Sequence, residues 1–382
     1  MRIAFITFDY NSSFGGSGEY AEKIVDQLIE LGFKITVFTF EVHKFKKTIK
    51  NQNLEIVVVP LNKLLPFRAL QFWFKLPKII KKHNENEKFD IVHINSISNL
   101  FIALPNVPHV LTIHHTIKDA INFNNKSFLY RLFDFSGENN FLLPFIEKRN
   151  INYADKIISV SDFTKKQIVR YYGVNPEKID VVYNGINNTE INLDAESLEK
   201  YRCEQFHNKK IVLFVGRVDD YRKGLDLLLN SFNNVLNSID AVLVVVGRGN
   251  CKNAIALCEK LGISNNVIFK GFVKRQTLLK YYNLCDLYVC PSRLEGFGLT
   301  LLDAIYAQKP IVASNVGAIP EILDGYKNAL LIPNQPKYIS ESIVNLLKSE
   351  KVFKQDLTEF EEKFDWSNSA NKIKEIYKKL TK

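Results

Sequence analysis

The sequence predicts an α/β protein with two doubly wound parallel sheets, and three observations carry that prediction. Short β-branched and aromatic runs alternate with longer amphipathic stretches. The alternation breaks off in a polar stretch, residues 187–208, and then starts again. The chain, at 382 residues, also exceeds what one ordinary core accommodates. Strands covered by helices on both faces read as near-continuous apolar runs. In the first half these are "RIAFITF", "KITVFTF", "LEIVVVP", "FDIVHI", "PHVLTIHH", "KIISVS" and "IDVVYNGI", with helices from Glu19 and from Phe163. In the second half they are "KIVLFVGR", "AVLVVVGRG", "NVIFKGF", "CDLYVCPS", "KPIVAS" and "ALLIP". The expected domains are residues 1–186 and 187–365, with a closing amphipathic helix, residues 366–382, returning to the first. Ligands of such sheets gather outside the carboxyl ends of the strands, which places the expected site in a cleft between the two domains.

Composition narrows the function class. No apolar run approaches the length that crosses a bilayer, and "MRIAFITFDY" reads as a first strand rather than a secretory leader, so a cytoplasmic location is expected. The cysteines, Cys203, Cys251, Cys258, Cys285 and Cys290, form no Cys-x-x-Cys and, apart from Cys203 four residues before His207, lie far from the histidines. Neither a disulfide framework nor a zinc site is expected, and the thiols should be reduced and partly buried. The balance of 51 basic against 41 acidic residues leaves +10, which favours an anionic partner without choosing its kind. No helix-turn-helix or aromatic RNA-binding pattern is present, so nucleic acid is not expected.

The first glycine cluster, "FGGSGEYA", matches Gly-x-Gly-x-x-Ala from Gly16 to Ala21, and Glu41 ends the next strand about where a ribose-binding acid would stand. That pattern admits a nicotinamide-dependent oxidoreductase. The spacing argues against it: in a dinucleotide fold the first glycine follows the strand directly, whereas "DYNSSFG" intervenes here. Gly15 and Gly16 are better read as bare backbone at which an anion or ligand approaches.

The second half carries sharper chemistry. In "FVGRVDDYRKG" a strand ends at Gly216 and is followed by Arg217, Lys223 and Gly224. Two cations at a strand's carboxyl end suit a diphosphate, since Arg binds bidentately and Lys acts as a point charge. In "VCPSRLEGFGLTLLDA" a strand gives way to Ser292 and Glu295, then to Gly296, Phe297 and Gly298, then to a helix beginning near Leu299. Backbone amides and a positive helix end there converge with an acid. Asp303 lies eight residues beyond Glu295, a spacing that on one continuous helix puts both on one side.

Taken in order, "FGGSGEYAEKIVDQLIELGFKITVFT", "VLTIHHT", "ISVSDFTKKQI", "VVYNGI", "VGRVDDYRKG", "VVGRGN", "GFV", "CDLYVCPSRLEGFGLTLLDA" and "VGAIPEILDG" resemble the retaining glycosyltransferases of family 4. The resemblance covers nearly the whole chain. It implies the GT-B architecture, two Rossmann-like domains facing each other across a cleft, and transfer of a hexose from a nucleotide diphosphate sugar to a glycan or lipid-linked acceptor. It implies that Arg217 and Lys223 hold the diphosphate, that Glu295 contacts the donor sugar, and that the amides of Gly296 to Leu299 assist. By the same resemblance Asp303 holds the ribose in place of the family's Glu, Val273 lies near the base, and His114 contacts the sugar near the reacting carbon. No metal and no resident cofactor are implied. The chain departs from the family at His115, Asn187, Asn328 and Arg248, the last of which changes the charge beside the expected base pocket. A sugar-nucleotide epimerase or hydrolase of the same fold is a further alternative beside the oxidoreductase.

Two first-half segments, residues 64–82 and 128–149, mix aromatic with basic residues. They suit an anionic membrane surface. The competing and favoured reading is that their aromatics pack on the sheet while the lysines stay in water.

Overall fold

The computed structural model describes residues 1–10, 16–40, 49–50, 52–62, 68–95, 104–122, 143–186, 195–207, 209–349 and 353–381. Contacts divide them into two units, Met1–Gly185 with Phe360–Lys382, and Ile186–Glu359. Each has its own sheet and its own apolar core.

Unit 1 holds strands β1 (Arg2–Ile6), β2 (Lys34–Phe40), β3 (Ile49–Lys50), β4 (Leu54–Val59), β5 (Ile91–Asn95), β6 (His109–Ile113), β7 (Lys156–Ser159) and β8 (Ile179–Val181). Their order is β3-β4-β2-β1-β5-β6-β7-β8, parallel throughout except where β3 meets β4. The two-residue β3 breaks the expected alternation because an antiparallel edge needs no crossover helix. The connecting helices are α1 (Gly16–Glu30), α2 (Arg68–Asn86), α3 (Ile117–Asn122), α4 (Leu143–Tyr153) and α5 (Asp162–Tyr172). Ser161 starts α5 by accepting the Thr164 N–H at 3.1 Å, and Gly173 closes it in the left-handed region. Helix α1 begins at Gly16 rather than at the expected Glu19, so Gly16 and Gly18 lie in its first turn, where N–H groups lack intrahelical partners.

Unit 2 holds helix α6 (Ala195–Phe206) and strands β9 (Lys210–Val215), β10 (Ala241–Val246), β11 (Val267–Gly271), β12 (Leu287–Cys290), β13 (Ile311–Ser314) and β14 (Ala329–Ile332). Their order is β11-β10-β9-β12-β13-β14. The helices between and after them are α7 (Leu225–Leu236), α8 (Lys252–Leu261), α9 (Arg275–Leu284), α10 (Leu299–Tyr306), α11 (Ile319–Leu323) and α12 (Pro336–Ser349). Strand residues such as Val212, Leu243 and Val289 are fully or almost fully buried against Leu228, Leu229 and Phe232 of α7 and Ile339 and Ile343 of α12.

The chain then re-enters unit 1 through α13 (Thr358–Lys363) and α14 (Trp366–Leu380). Asp365 caps α14 by accepting the Asn368 N–H at 2.7 Å. The helix buries Trp366, Ala370, Ile373 and Tyr377 and lies against α1. Ser369 Oγ donates to the Tyr183 carbonyl at 2.5 Å. Gly185 makes this docking possible, because a Cβ there would run into the backbone and ring of Trp366.

Both tryptophans of the chain, Trp73 and Trp366, belong to unit 1, so their emission reports on that unit. We expect Gly185→Ala to destabilise it by about 1–3 kcal/mol, the usual cost of overpacking, seen as a lower urea midpoint in tryptophan fluorescence. An unchanged midpoint would contradict the close docking of Trp366 on Gly185.

Candidate active site

In unit 2 the carboxyl ends of neighbouring strands touch backbone to backbone. Gly247 follows β10 at φ +151, where a Cβ would collide with the Gly216 carbonyl, and its N–H donates to the Gly271 carbonyl at 2.9 Å. Beyond β9, Asp220 accepts the Arg222 N–H at 3.0 Å and starts a short 3₁₀ turn, Tyr221–Lys223. The turn closes at Gly224, φ +69, whose missing Cβ lets it lie on the Pro291 carbonyl. The Arg293 N–H then donates to the Arg222 carbonyl at 2.6 Å, locking the turn to the segment that leaves β12.

That contact sets the central feature. Lys223 Nζ lies 2.6 Å from Glu295 Oε1, which also accepts Ser292 Oγ–H at 2.9 Å. Both partners are largely withdrawn from water. Burial alone would lower the Lys223 ammonium, but the Glu295 carboxylate more than offsets it and holds the lysine above its usual value. The Glu295 carbonyl accepts the Ala318 N–H at 3.0 Å, and Gly317 fits beneath the same peptide. Glu295 therefore precedes α10 and is not on it, so the one-sided spacing that a continuous helix would give it with Asp303 does not apply. Gly298, φ +104, intervenes and ends any continuity. Helix α10 starts at Leu299 as expected and has no side-chain cap, so its first N–H groups are available to an anion.

Asp303, in the second turn of α10, is buried and engaged at both oxygens by Arg275, at 2.6 and 2.5 Å. Arg275 opens α9 two residues after the half-buried Val273. It thereby ties the loop of Val273 to the helix of Asp303. The guanidinium of Arg248 stacks 4.1 Å above the exposed Phe272 ring. Arg217 stands apart from the Lys223–Glu295 pair: its side chain is 62% exposed and turns to Asp219 at 3.4 Å.

In unit 1 His114 follows β6 and is held by Asn95, the last residue of β5. Asn95 Nδ2 donates to Thr7 Oγ1 at 3.1 Å and to the Ser17 carbonyl of α1 at 3.2 Å. Its Oδ1 must then accept, so His114 Nε2 donates to it at 2.8 Å and Nδ1 keeps its lone pair. The Tyr20 ring meets His114 edge-on at 4.9 Å. Burial, aided by the adjacent His115, pushes the His114 pKa down to about 3, so the ring is neutral across the physiological range.

Two residues that complete these groups, Arg275 and Asn95, were not singled out in the sequence, and Ser292 was named there without a role. Asn95 carried a signal, a polar residue closing the apolar run "FDIVHIN". Gly15, Glu41 and Asn187 lie outside the described residues. Among the described residues, no group of three or more His, Cys, Asp or Glu side chains is placed to hold a metal ion. All five cysteines are free.

Comparison with known proteins places the chain in a family. A family model described as glycosyl transferases group 1 matches residues 199–368, and one described as glycosyltransferase family 4 matches residues 14–190. An uncharacterised glycosyltransferase of Methanocaldococcus jannaschii is 26% identical, the alignment covering 99% of this chain and 98% of that protein. Sucrose-phosphate synthase from Thermosynechococcus elongatus superposes with a TM-score of 0.81 at 18% identity, over 99% of this chain and 98% of that one. Anabaena HepE in complex with UDP and glucose gives a TM-score of 0.72 at 17% identity, over 98% and 99%. At such identities the likeness to solved structures is one of fold, the GT-B architecture. With one family match on each half, the chain belongs to the group 1, family 4 glycosyltransferases.

Proposed function

We propose that this glycosyltransferase is a retaining enzyme that moves a hexose from a nucleotide diphosphate sugar to a glycan or lipid-linked acceptor, in the cytoplasm. The observation that carries the reading is the Lys223–Glu295–Ser292 group beside the uncapped start of α10. It supplies a cation, an acceptor for sugar hydroxyls and backbone donors for an anion within one loop cluster. That HepE was solved with UDP and glucose supports a donor of this class.

In this reading the diphosphate takes Lys223 as its counter-ion, and Glu295, released from the lysine, accepts from hydroxyls of the sugar. Arg217, exposed and weakly engaged, swings to the same phosphates. The bond from the anomeric carbon to the diphosphate oxygen breaks while the acceptor oxygen enters on the same face. The departing phosphate oxygen takes the acceptor proton, so no side-chain base is required. The Lys223 ammonium, the Arg217 guanidinium and the α10 amides stabilise the charge that grows on the leaving group. Val273, and the Arg248–Phe272 stack beside it, border the base, and Asp303 with Arg275 borders the ribose. His114, neutral with Nδ1 bare, accepts from a hydroxyl of the transferred sugar. Gly16 leaves the start of α1 open to the substrates.

The aromatic-basic segments add a second, separable element. Phe72 and Trp73 of α2 are buried in the core, in line with the favoured sequence reading. Phe74 is 65% exposed, with Lys75, Lys78, Lys81 and Lys82 exposed around it, and Phe145 of α4 is 68% exposed beside Lys148 and Arg149. No described helix is long and apolar enough to cross a membrane. These side chains support peripheral contact with an anionic membrane surface, where a lipid-linked acceptor would be met.

Three measurements test the proposal. In a thermal-shift panel, UDP, GDP or ADP at about 100 times its dissociation constant should stabilise the protein by about 2.7 kcal/mol. Stabilisation by NAD alone would instead support the oxidoreductase. Arg217→Ala should lower turnover roughly a hundredfold at an unchanged melting temperature, because the side chain is exposed. Lys223→Ala should lower both, because it strands the buried Glu295 carboxylate. Wild-type turnover in both variants would remove the diphosphate assignment. Flotation with anionic liposomes should succeed at low salt and weaken at high salt, and absence of binding in both ends the membrane element.

A further inference from the structure

The turn between β6 and α3 carries His114 and His115, and it is held from beneath by a carboxylate that the proposed reaction does not use. Glu147, on α4, is 1% exposed. Its Oε2 accepts the Ile117 N–H at 2.9 Å, the first donor of α3, and also a short hydrogen bond from Tyr172 O–H at the end of α5. Its Oε1 is buried and has no hydrogen-bond partner among the described residues. One side chain thus ties the histidine turn to both α4 and α5.

The surroundings explain its chemistry. Asp119 on α3 is occupied otherwise, accepting Thr116 Oγ1–H at 2.7 Å and Tyr171 O–H at 2.9 Å. Lys118 Nζ sits 5.1 Å over the Tyr172 ring and donates to the Tyr171 carbonyl at 3.1 Å, so it does not neutralise Glu147 directly. Burial pushes the Glu147 carboxyl up to about 7; the bonds from Tyr172 and Ile117 and the proximity of His115 pull the other way, while Asp119 adds to the rise. Tyr172 itself is held far above its usual value, by burial and then by Glu147, and stays protonated as a donor. A proton taken up by Glu147 goes to the bare Oε1, since Oε2 already accepts two bonds.

We propose that Glu147 is a positioning residue of the transfer reaction: its carboxylate fixes the turn that presents His114, and its protonation slackens that turn. A hydrogen bond to a carboxylate is roughly twice as strong as one to a neutral carbonyl, so the Ile117 anchor weakens when the proton binds. The inference rests on the reading that His114 contacts the transferred sugar.

Rate and stability should then move in opposite directions with pH. A carboxyl whose folded value lies above its unfolded value of 4.5 contributes stability that is complete below 4.5 and is lost as pH rises through about 7. The melting temperature should therefore fall between pH 5 and 8 while kcat rises, by about fivefold, with little change in KM for the donor. A purely structural role would make rate and stability fall together. Glu147→Gln should remove the inflection near 7 from both profiles.

A second readout does not depend on activity. His114 does not titrate near neutrality, so a step near pH 7 in its ring resonances reports a neighbour. That step should vanish in Glu147→Gln. In Tyr172→Phe, which lacks one donor to Oε2, it should move to higher pH, and this variant serves if the first does not fold. A step unchanged in either variant overturns the proposal, whether or not sugar transfer is detected. A step that vanishes while no donor sugar is transferred upholds the positioning of the turn and sinks the transferase reading instead.

Discussion

The constraint on which each half of this protein depends is parallel strand pairing. Apart from the two-residue β3, every paired strand runs the same way as its neighbour, so each sheet delivers all its other carboxyl ends to one edge. Residues far apart in sequence meet there without long connections. In unit 2 this brings Gly216, Gly247 and Gly271 together, and the close approach of Gly224 to Pro291 adds the fourth strand end. The 2.6 Å contact between Lys223 and Glu295 follows from that fit. A side chain at Gly224 or Gly247 would push the loops apart and leave a buried charge on each side without its partner, the costly case for an ion pair. The pair is thus less a source of stability than an arrangement in which two charges neutralise each other; in the proposed function an anion and a hydroxyl replace them.

Unit 1 uses the same geometry with neutral groups. Asn95 joins the ends of β1 and β5 to α1 and fixes the tautomer of His114. Beneath it lies a buried polar chain. Tyr377 O–H meets His93 Nδ1 at 2.5 Å, His93 Nε2 meets Thr112 Oγ1 at 2.7 Å, and Thr112 Oγ1 meets Tyr20 O–H at 3.2 Å. Burial lowers the His93 pKa to about 3, an effect that a protonated His114 would only add to, so the chain stays uncharged. Because Tyr377 sits on α14, the last helix is wired to the strand that ends in Asn95 and to the one that precedes His114. That link explains why the chain returns to unit 1 at its end, and why the return matters to the histidine turn as well as to the core.

Most of the fold was legible because buried parallel strands are written as β-branched runs, and all such runs named in the sequence contain strands. The exceptions have physical causes. Strand β3 has two residues and no run to read. Helix α1 starts three residues early because tertiary packing overrides the poor helix propensity of Gly16 and Gly18. At the candidate site, the glycine turns and the charges around them were visible, since glycines at strand ends and cations beside them break the apolar pattern. Partnerships were not visible. Nothing in "VKRQT" announces that Arg275 closes on Asp303, and in "FIEKRN" Glu147 reads as one more solvated helix charge. Burial of a single polar residue is decided by which helix lies over it, and that information is spread over α3, α4 and α5.

Glu147 and Glu295 show how far such placement decides chemistry. Both are buried glutamates, and both accept two hydrogen bonds on one oxygen. One of the donors to Glu295 is an ammonium, whereas both donors to Glu147 are neutral, an amide and a phenol. A carboxylate hydrogen-bonded to a cation has a partner that a competing anion can draw away. A carboxylate with only neutral donors answers to the proton instead, because protonation removes the cost of the buried charge. The same side chain, at nearly the same burial, is therefore set against a cation in one unit and against neutral donors in the other, which is why, as proposed, one answers to a ligand and the other to the proton. Here the difference rests on Lys223 reaching Glu295 while Lys118 is drawn to the Tyr171 carbonyl.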